Sequence, residues 1–130
     1  REGKTFKIFG NNWPTNDGTG VRDYIHIMDL ADGHFAAMKY LSANKPQIIN
    51  LNLGTGMGTS VLELIKQFEK TNKCIINYIF SDKRSGDVAS LIANNSNALN
   101  KLDWQPKRTL EEMCRDGWQW EVNNPFGYNK

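Results

Sequence analysis

The sequence predicts an α/β fold, and three observations carry the prediction. Segments rich in β-branched and aromatic residues, "TFKIF", "VRDYIHIM", "IINLNL" and "CIINYIF", alternate along the chain with segments whose apolar residues recur at helical spacing. Two of the helical segments open on a Ser/Thr-x-x-Glu capping box, in which each end of the motif satisfies a backbone N–H that the first helical turn leaves unpaired. The 130 residues suffice for one ordinary domain, which needs about 100–150.

Residues 5–9 alternate polar and apolar side chains and predict a half-buried strand. The run "GNNWPTNDGTG" that follows is turn chemistry throughout, and loops of that length tend to be functional. "VRDYIHIM" predicts a second strand running into Asp29, which is placed to cap a helix from about Asp29 to Leu41 with Ala31, Phe35, Met38 and Leu41 on one face. "IINLNL" predicts a third strand, and "GTGMGTS" links it to a helix opened by Ser60 and Glu63, with Val61, Ile65 and Phe68 on one face. "CIINYIF" predicts a fourth. Past the loop "SDKRSGD" and the apolar "VASLIA", a short helix is expected around Ser96–Leu102. A last helix opens at Thr109, with Glu112 completing its box.

Bulk properties exclude several function classes. Sixteen Lys and Arg against 14 Asp and Glu leave a net charge of +2 with the basic residues dispersed, so the chain has no clustered basic face for nucleic acid. No window approaches the ~20 apolar residues that cross a bilayer, and nothing at the first residues resembles a signal peptide. No membrane partner is expected. Cys74 and Cys114 lie forty residues apart without zinc-ligand spacing and read as reduced thiols of a cytoplasmic protein.

Gly54-Thr55-Gly56-Met57-Gly58 sits where a dinucleotide-binding loop would. However, Thr59 occupies the place of the third glycine, and no acidic residue follows at the end of the next strand to hold a ribose. A tight turn closed by the Ser60 cap accounts for the motif. His26, Asp29, Asp32 and His34 are metal-ligand types within nine residues, but Asp29 as a cap and Asp32 as a first-turn charge explain the carboxylates. No metal is assigned. Arg22 follows Gly18 and Gly20, and Arg84 precedes Gly86; two planar guanidinium forks so placed suit a diphosphate, and Asp87 suits a ribose diol. The same residues equally suit surface ion pairs to Asp23 and Asp87. No nucleophile motif is present, and Met28, Asn44 and Asp82 stand four residues after Tyr24, Tyr40 and Tyr78, so no Tyr-x-x-x-Lys pair begins there.

"IFGNNWPTNDGTGVRDYIHIMDLADGH", "NLGTGMGTSVLELIKQFEK", "RSGD" and "LDWQPKRTLEEMCRDGWQWEVNNPFGY", in that order, resemble the C-terminal part of the UDP-glucose 4-epimerase family, within the extended short-chain dehydrogenase/reductase superfamily. The likeness runs from about Ile8 to Tyr128. It implies that residues 1–130 form the C-terminal UDP-sugar-binding portion of a two-domain, Rossmann-type enzyme whose N-terminal NAD-binding domain is absent. It implies that Lys7, Ile8 and Phe9 meet the uracil end of the UDP-sugar, largely through backbone groups. Arg22 and Arg84 would contact the diphosphate, and Asp87 the ribose.

The family's isomerase reaction oxidises the sugar at C4 by hydride transfer to NAD+ and returns the hydride to the other face, interconverting UDP-galactose and UDP-glucose in galactose metabolism. Its catalytic Ser and Tyr-x-x-x-Lys lie outside these residues, so the resemblance implies no catalytic residue here, no catalysis by the segment alone and no NAD on this chain. The complete enzyme is expected to be a homodimer. Trp13 and Leu51 stand where the family usually carries tyrosine. Leu91 falls where side-chain size governs N-acetylated sugars, so UDP-galactose and UDP-glucose are expected to fit easily and N-acetyl sugars less well. The alternatives are another nucleotide-sugar epimerase or dehydratase of the superfamily, a stand-alone UDP-sugar binder, or an inactive remnant.

Overall fold

The first strand, β1 (Phe6–Phe9), pairs in parallel with β4 (Tyr78–Ser81), Ile8 opposite Phe80, in a computed structural model that describes residues 5–128. The second sheet is built from short pieces: β2 (Val21–Arg22) lies between β3 (Thr59–Ser60), antiparallel to it, and β5 (Ser90–Leu91), parallel to it. Four helices complete the architecture: α1 (Ile27–Ala43), α2 (Val61–Asn72), α3 (Ser96–Leu102) and α4 (Leu110–Asn123). Both predicted capping boxes are formed. Ser60 Oγ accepts from the Glu63 amide while Glu63 accepts from the Ser60 amide, and Thr109 and Glu112 do the same at α4.

Three expected strands are shorter or missing, for one reason: "CIINYIF" is a strand only from Tyr78, and the other two depart further. An extended segment becomes a strand only where a second backbone pairs with it. In "VRDYIHIM" that pairing ends at the Asp23 amide, just past β2, and residues 48–53 form no ladder among the described residues. Leu51 and Leu53 instead pack against the buried cluster of Ala98, Leu102 and Trp104, with Ile25, Ala36, Ala37 and Tyr40. Helix α1 also starts two residues earlier than predicted. His26, in extended conformation, is its N-cap, with Nδ1 accepting from the Met28 amide; Nε2 then carries the ring proton and faces Asp116 Oδ2 at 3.2 Å.

Asp29, expected as the cap, is inside the first turn and 1% exposed. Its carboxylate accepts from the amides of Lys107 (3.1 Å) and Arg108 (2.9 Å) and from Arg108 Nη1 (2.5 Å), while its carbonyl accepts from Trp104 Nε1. Burial works against the charge, but these donors more than offset it and hold the carboxyl below its usual pKa. Asp32 shares the same Arg108 nitrogen at 3.2 Å. The two carboxylates thus pin α1 to the segment entering α4. Helices α2 and α4 pack side by side through an edge-on Phe68–Trp118 contact at 5.7 Å and an Asn72 side-chain bond to the Cys114 carbonyl. The Cys114 thiol is buried, which raises its pKa and suppresses the thiolate. On its other side α1 exposes Ile27, Phe35, Met38 and Leu41.

Candidate functional site

A cleft of about 350 Å³ opens between β1, β2 and the start of α2, and it gathers residues that the sequence singled out from three distant segments. Lys7, Ile8 and Phe9 come from β1, Arg22 from β2, and Arg84 and Asp87 from the loop after β4. Strand β1 presents one backbone edge away from β4. The Phe6 and Gly10 amides donate to Asn77 and Ser81 on the β4 side, so the alternation of a parallel ladder turns the Lys7 and Phe9 groups outward. One of those groups is already used, because Trp13 Nε1 donates to the Phe9 carbonyl at 3.2 Å.

The charged corner of the cleft is built by a turn. Asp87 N–H donates to the Arg84 carbonyl at 3.2 Å, with Gly86 at φ +84°, a conformation that glycine adopts without cost. The turn sets Arg84 beside Asp87: Nε to Oδ2 is 3.0 Å, and the guanidinium lies over the Phe9 ring at 4.5 Å. Arg22 approaches from the other side. Its Nη1 donates to the Val21 and Val88 carbonyls at 2.7 and 3.0 Å, and its Nη2 stands 3.9 Å from Asp87 Oδ1. Two guanidinium groups therefore flank one carboxylate and leave a net positive corner, with Arg22 oriented by backbone acceptors before any anion arrives. In this arrangement Asp87 is the arginines' partner. Asp23 takes no part in the cluster.

Leu91 is not in this cleft. It lies opposite Arg22 in the β2–β5 ladder, 63% exposed, and lines a neighbouring cleft of about 390 Å³ with Asn52, Asn94 and Arg22 itself. Sequence reasoning missed Tyr24, Trp13, Gly20, Val61, Leu64 and Ile65 as cleft walls. Tyr24 was signalled by its two-residue offset from Arg22 on an extended segment, and burial raises its phenol pKa. Val61, Leu64 and Ile65 have the i, i+3, i+4 spacing that also marks an ordinary core face, so nothing in the sequence separated the two roles.

The Gly54–Gly58 loop does not form a dinucleotide cradle. The amides of Thr55 and Gly56, which would meet a diphosphate, donate at 2.9 Å to the Asp23 carboxylate. Among the described residues no group of three His, Cys, Asp or Glu is arranged to hold a metal ion, and no helix is long and apolar enough to cross a membrane.

The family model described as GDP-mannose 4,6 dehydratase matches residues 1–117. The chain belongs to this family. Within it, the relatives are UDP-glucose 4-epimerases of the extended short-chain dehydrogenase/reductase superfamily. UDP-glucose 4-epimerase 2 of Arabidopsis thaliana is 50% identical over 122 residues, 94% of this chain and 35% of the relative. The UDP-glucose 4-epimerase of Bifidobacterium longum, solved with NAD+ and UDP, superposes with a TM-score of 0.90 at 41% identity over 96% of this chain and 37% of its own. That of Stenotrophomonas maltophila, with NAD and formylated UDP-arabinopyranose, gives 0.87 at 44% identity over 92% of this chain and 35% of its own. The chain spans about a third of the length of the curated relatives it matches.

These structures correct one expectation. NAD was assigned wholly to another domain, with none on this chain, yet proteins solved with NAD match it over 92 and 96% of its residues. In those proteins the part that matches this chain belongs to a body that holds NAD, and the exclusive assignment of cofactor contacts elsewhere does not stand. The Gly54–Gly58 loop, whose donors are committed to Asp23, is not where such contacts would form.

Proposed function

We propose that residues 1–130 are the C-terminal, UDP-sugar-binding portion of an NAD-dependent UDP-glucose 4-epimerase that interconverts UDP-galactose and UDP-glucose. The observation that carries this reading is the convergence of Arg22, Arg84 and Asp87 with the outward backbone edge of β1 in one cleft of about 350 Å³. The outward Lys7 and Phe9 groups suit the donor–acceptor edge of a uracil. Arg22 and Arg84 supply guanidinium donors to the diphosphate, and Asp87 passes from its arginine partners to the ribose diol. The pair it leaves, exposed at Arg84 and half-buried at Asp87, costs about 1 kcal/mol to open. Leu91 borders the sugar from the neighbouring cleft and disfavours N-acetylated sugars. The segment acts as the handle of the substrate and does not catalyse alone; the complete enzyme is a homodimer of the cytoplasm.

The exposed α1 stripe of Ile27, Phe35, Met38 and Leu41 suits a segment that packs against further polypeptide of the same enzyme. A rival reading, a nucleotide-sugar 4,6-dehydratase, draws on the description of the family model. Incubating the complete enzyme with UDP-galactose separates them. UDP-glucose as product, with slower turnover of UDP-N-acetylgalactosamine to UDP-N-acetylglucosamine, supports the epimerase. A 4-keto-6-deoxy product would replace it with the dehydratase.

A further inference from the structure

We propose that Asp23 is a positioning residue of the nucleotide cleft, holding the Arg22 strand in register with the turn at Thr55–Gly56 and the backbone at Ala93; the proposal rests on the UDP-sugar reading above. Arg22 and Asp23 are neighbours on an extended segment, so their side chains point to opposite sides. While Arg22 faces the cleft, the Asp23 carboxylate accepts from the Thr55 amide (2.9 Å) and hydroxyl (2.5 Å), the Gly56 amide (2.9 Å) and the Ala93 amide (3.2 Å). Its own amide donates to the Leu91 carbonyl at 3.2 Å. One side chain therefore joins three segments, including the one that carries Leu91.

The glycine-rich turn is shaped for this carboxylate. A Cβ on Gly54 would lie 2.7 Å from Asp23 Oδ2 and 2.5 Å from the Ala93 Cβ, so only glycine admits the approach. Burial opposes the charge on Asp23, and the Thr55, Gly56 and Ala93 donors outweigh it and keep the group ionised to lower pH than an ordinary carboxyl. The motif that looked like a phosphate cradle is occupied by the protein's own anion. Its effect on substrate runs through Arg22, whose Nη1 anchors on Val21 and Val88 leave its position dependent on where β2 sits.

The test is a double-mutant cycle on the complete enzyme, read by UDP titration, steady-state kinetics and thermal melting. Asp23→Asn keeps the shape but sets an NH2 group against backbone donors. We expect it to weaken UDP about tenfold, with the rise in KM larger than the fall in kcat, and to weaken it no further in an Arg22→Ala background. The melting temperature falls in both backgrounds. Equal loss of affinity in both backgrounds, or lower melting with unchanged affinity, would overturn the proposal. If Asp23→Asn does not fold, Thr55→Ala removes the hydroxyl donor to Asp23, together with that hydroxyl's bond from the Met57 amide, and is read in the same way, with a smaller expected effect. Absence of UDP binding by the unmutated enzyme would instead remove the underlying reading. UDP binding that Arg22→Ala weakens and Asp23→Asn leaves unchanged removes this inference alone.

Discussion

Arg108 meets Asp29 at 2.5 Å with the carboxylate 1% exposed, whereas Arg84 meets Asp87 at 3.0 Å from a side chain that is 60% exposed. The chemical groups are the same, and what differs is how far each pair is saturated. The Asp29 carboxylate also takes the Lys107 and Arg108 amides, so the pair is closed and its free energy goes into holding α1 against the segment before α4. The Asp87 carboxylate takes no backbone amide among the described residues; it accepts from Arg84 and is shared loosely with Arg22 at 3.9 Å. Saturation and burial, more than residue type, separate an arginine that builds the fold from one placed to grip an anion.

The comparison breaks most visibly at Asp29. Asp29→Ala should cost about 3 kcal/mol of stability in urea unfolding, because it leaves backbone donors and a guanidinium without their acceptor. A loss below about 1 kcal/mol would show that the closed pair is dispensable. The same group predicts a pH dependence. Its folded pKa is depressed, so its stabilisation is complete above the ordinary carboxyl value of 3.8 and is lost as pH falls through the folded value. The stability advantage of the unmutated protein over Asp29→Asn should therefore persist at pH 7 and shrink below about pH 4. Loss of that advantage on raising the pH instead would have the wrong sign.

Arg84→Ala should do the reverse, weakening UDP by about 2 kcal/mol, roughly 30-fold. Its effect on unfolding should stay within about 0.5 kcal/mol. Ser60→Ala should cost about 1 kcal/mol of stability, since Ser60 caps α2 and its hydroxyl also donates to Asp17. Thr109→Ala, a cap on an exposed helix start whose hydroxyl donates only to Glu112 of its own box, should cost less, about 0.5 kcal/mol. Equal losses at the two caps would show that the buried Asp17 acceptor adds nothing beyond what the exposed Glu112 supplies at Thr109.

What was legible in the sequence was what is local. The boxes at Ser60 and Thr109 and the helix at Ser96–Leu102 follow from residues three or four apart, and they stand where they were expected. The arginines and Asp87 were legible as a chemistry, and six of the seven proposed substrate residues do line one cleft. What failed was what depends on distant partners. Asp29 read as a cap because its acceptor role toward Arg108 spans seventy-nine residues, and "IINLNL" read as a strand because pairing cannot be seen from one segment. Asp23 was weighed only as a possible ion-pair partner, although the glycines it approaches are visible in the sequence.

The most direct measurement compares UDP with uridine by calorimetric titration of the complete enzyme and of Arg84→Ala. The diphosphate grip predicts that UDP binds far more tightly than uridine and that Arg84→Ala removes most of the difference while leaving uridine unchanged. Equal binding of UDP and uridine, or a UDP affinity indifferent to Arg84, would contradict the claim that the open arginine–aspartate corner holds a nucleotide diphosphate.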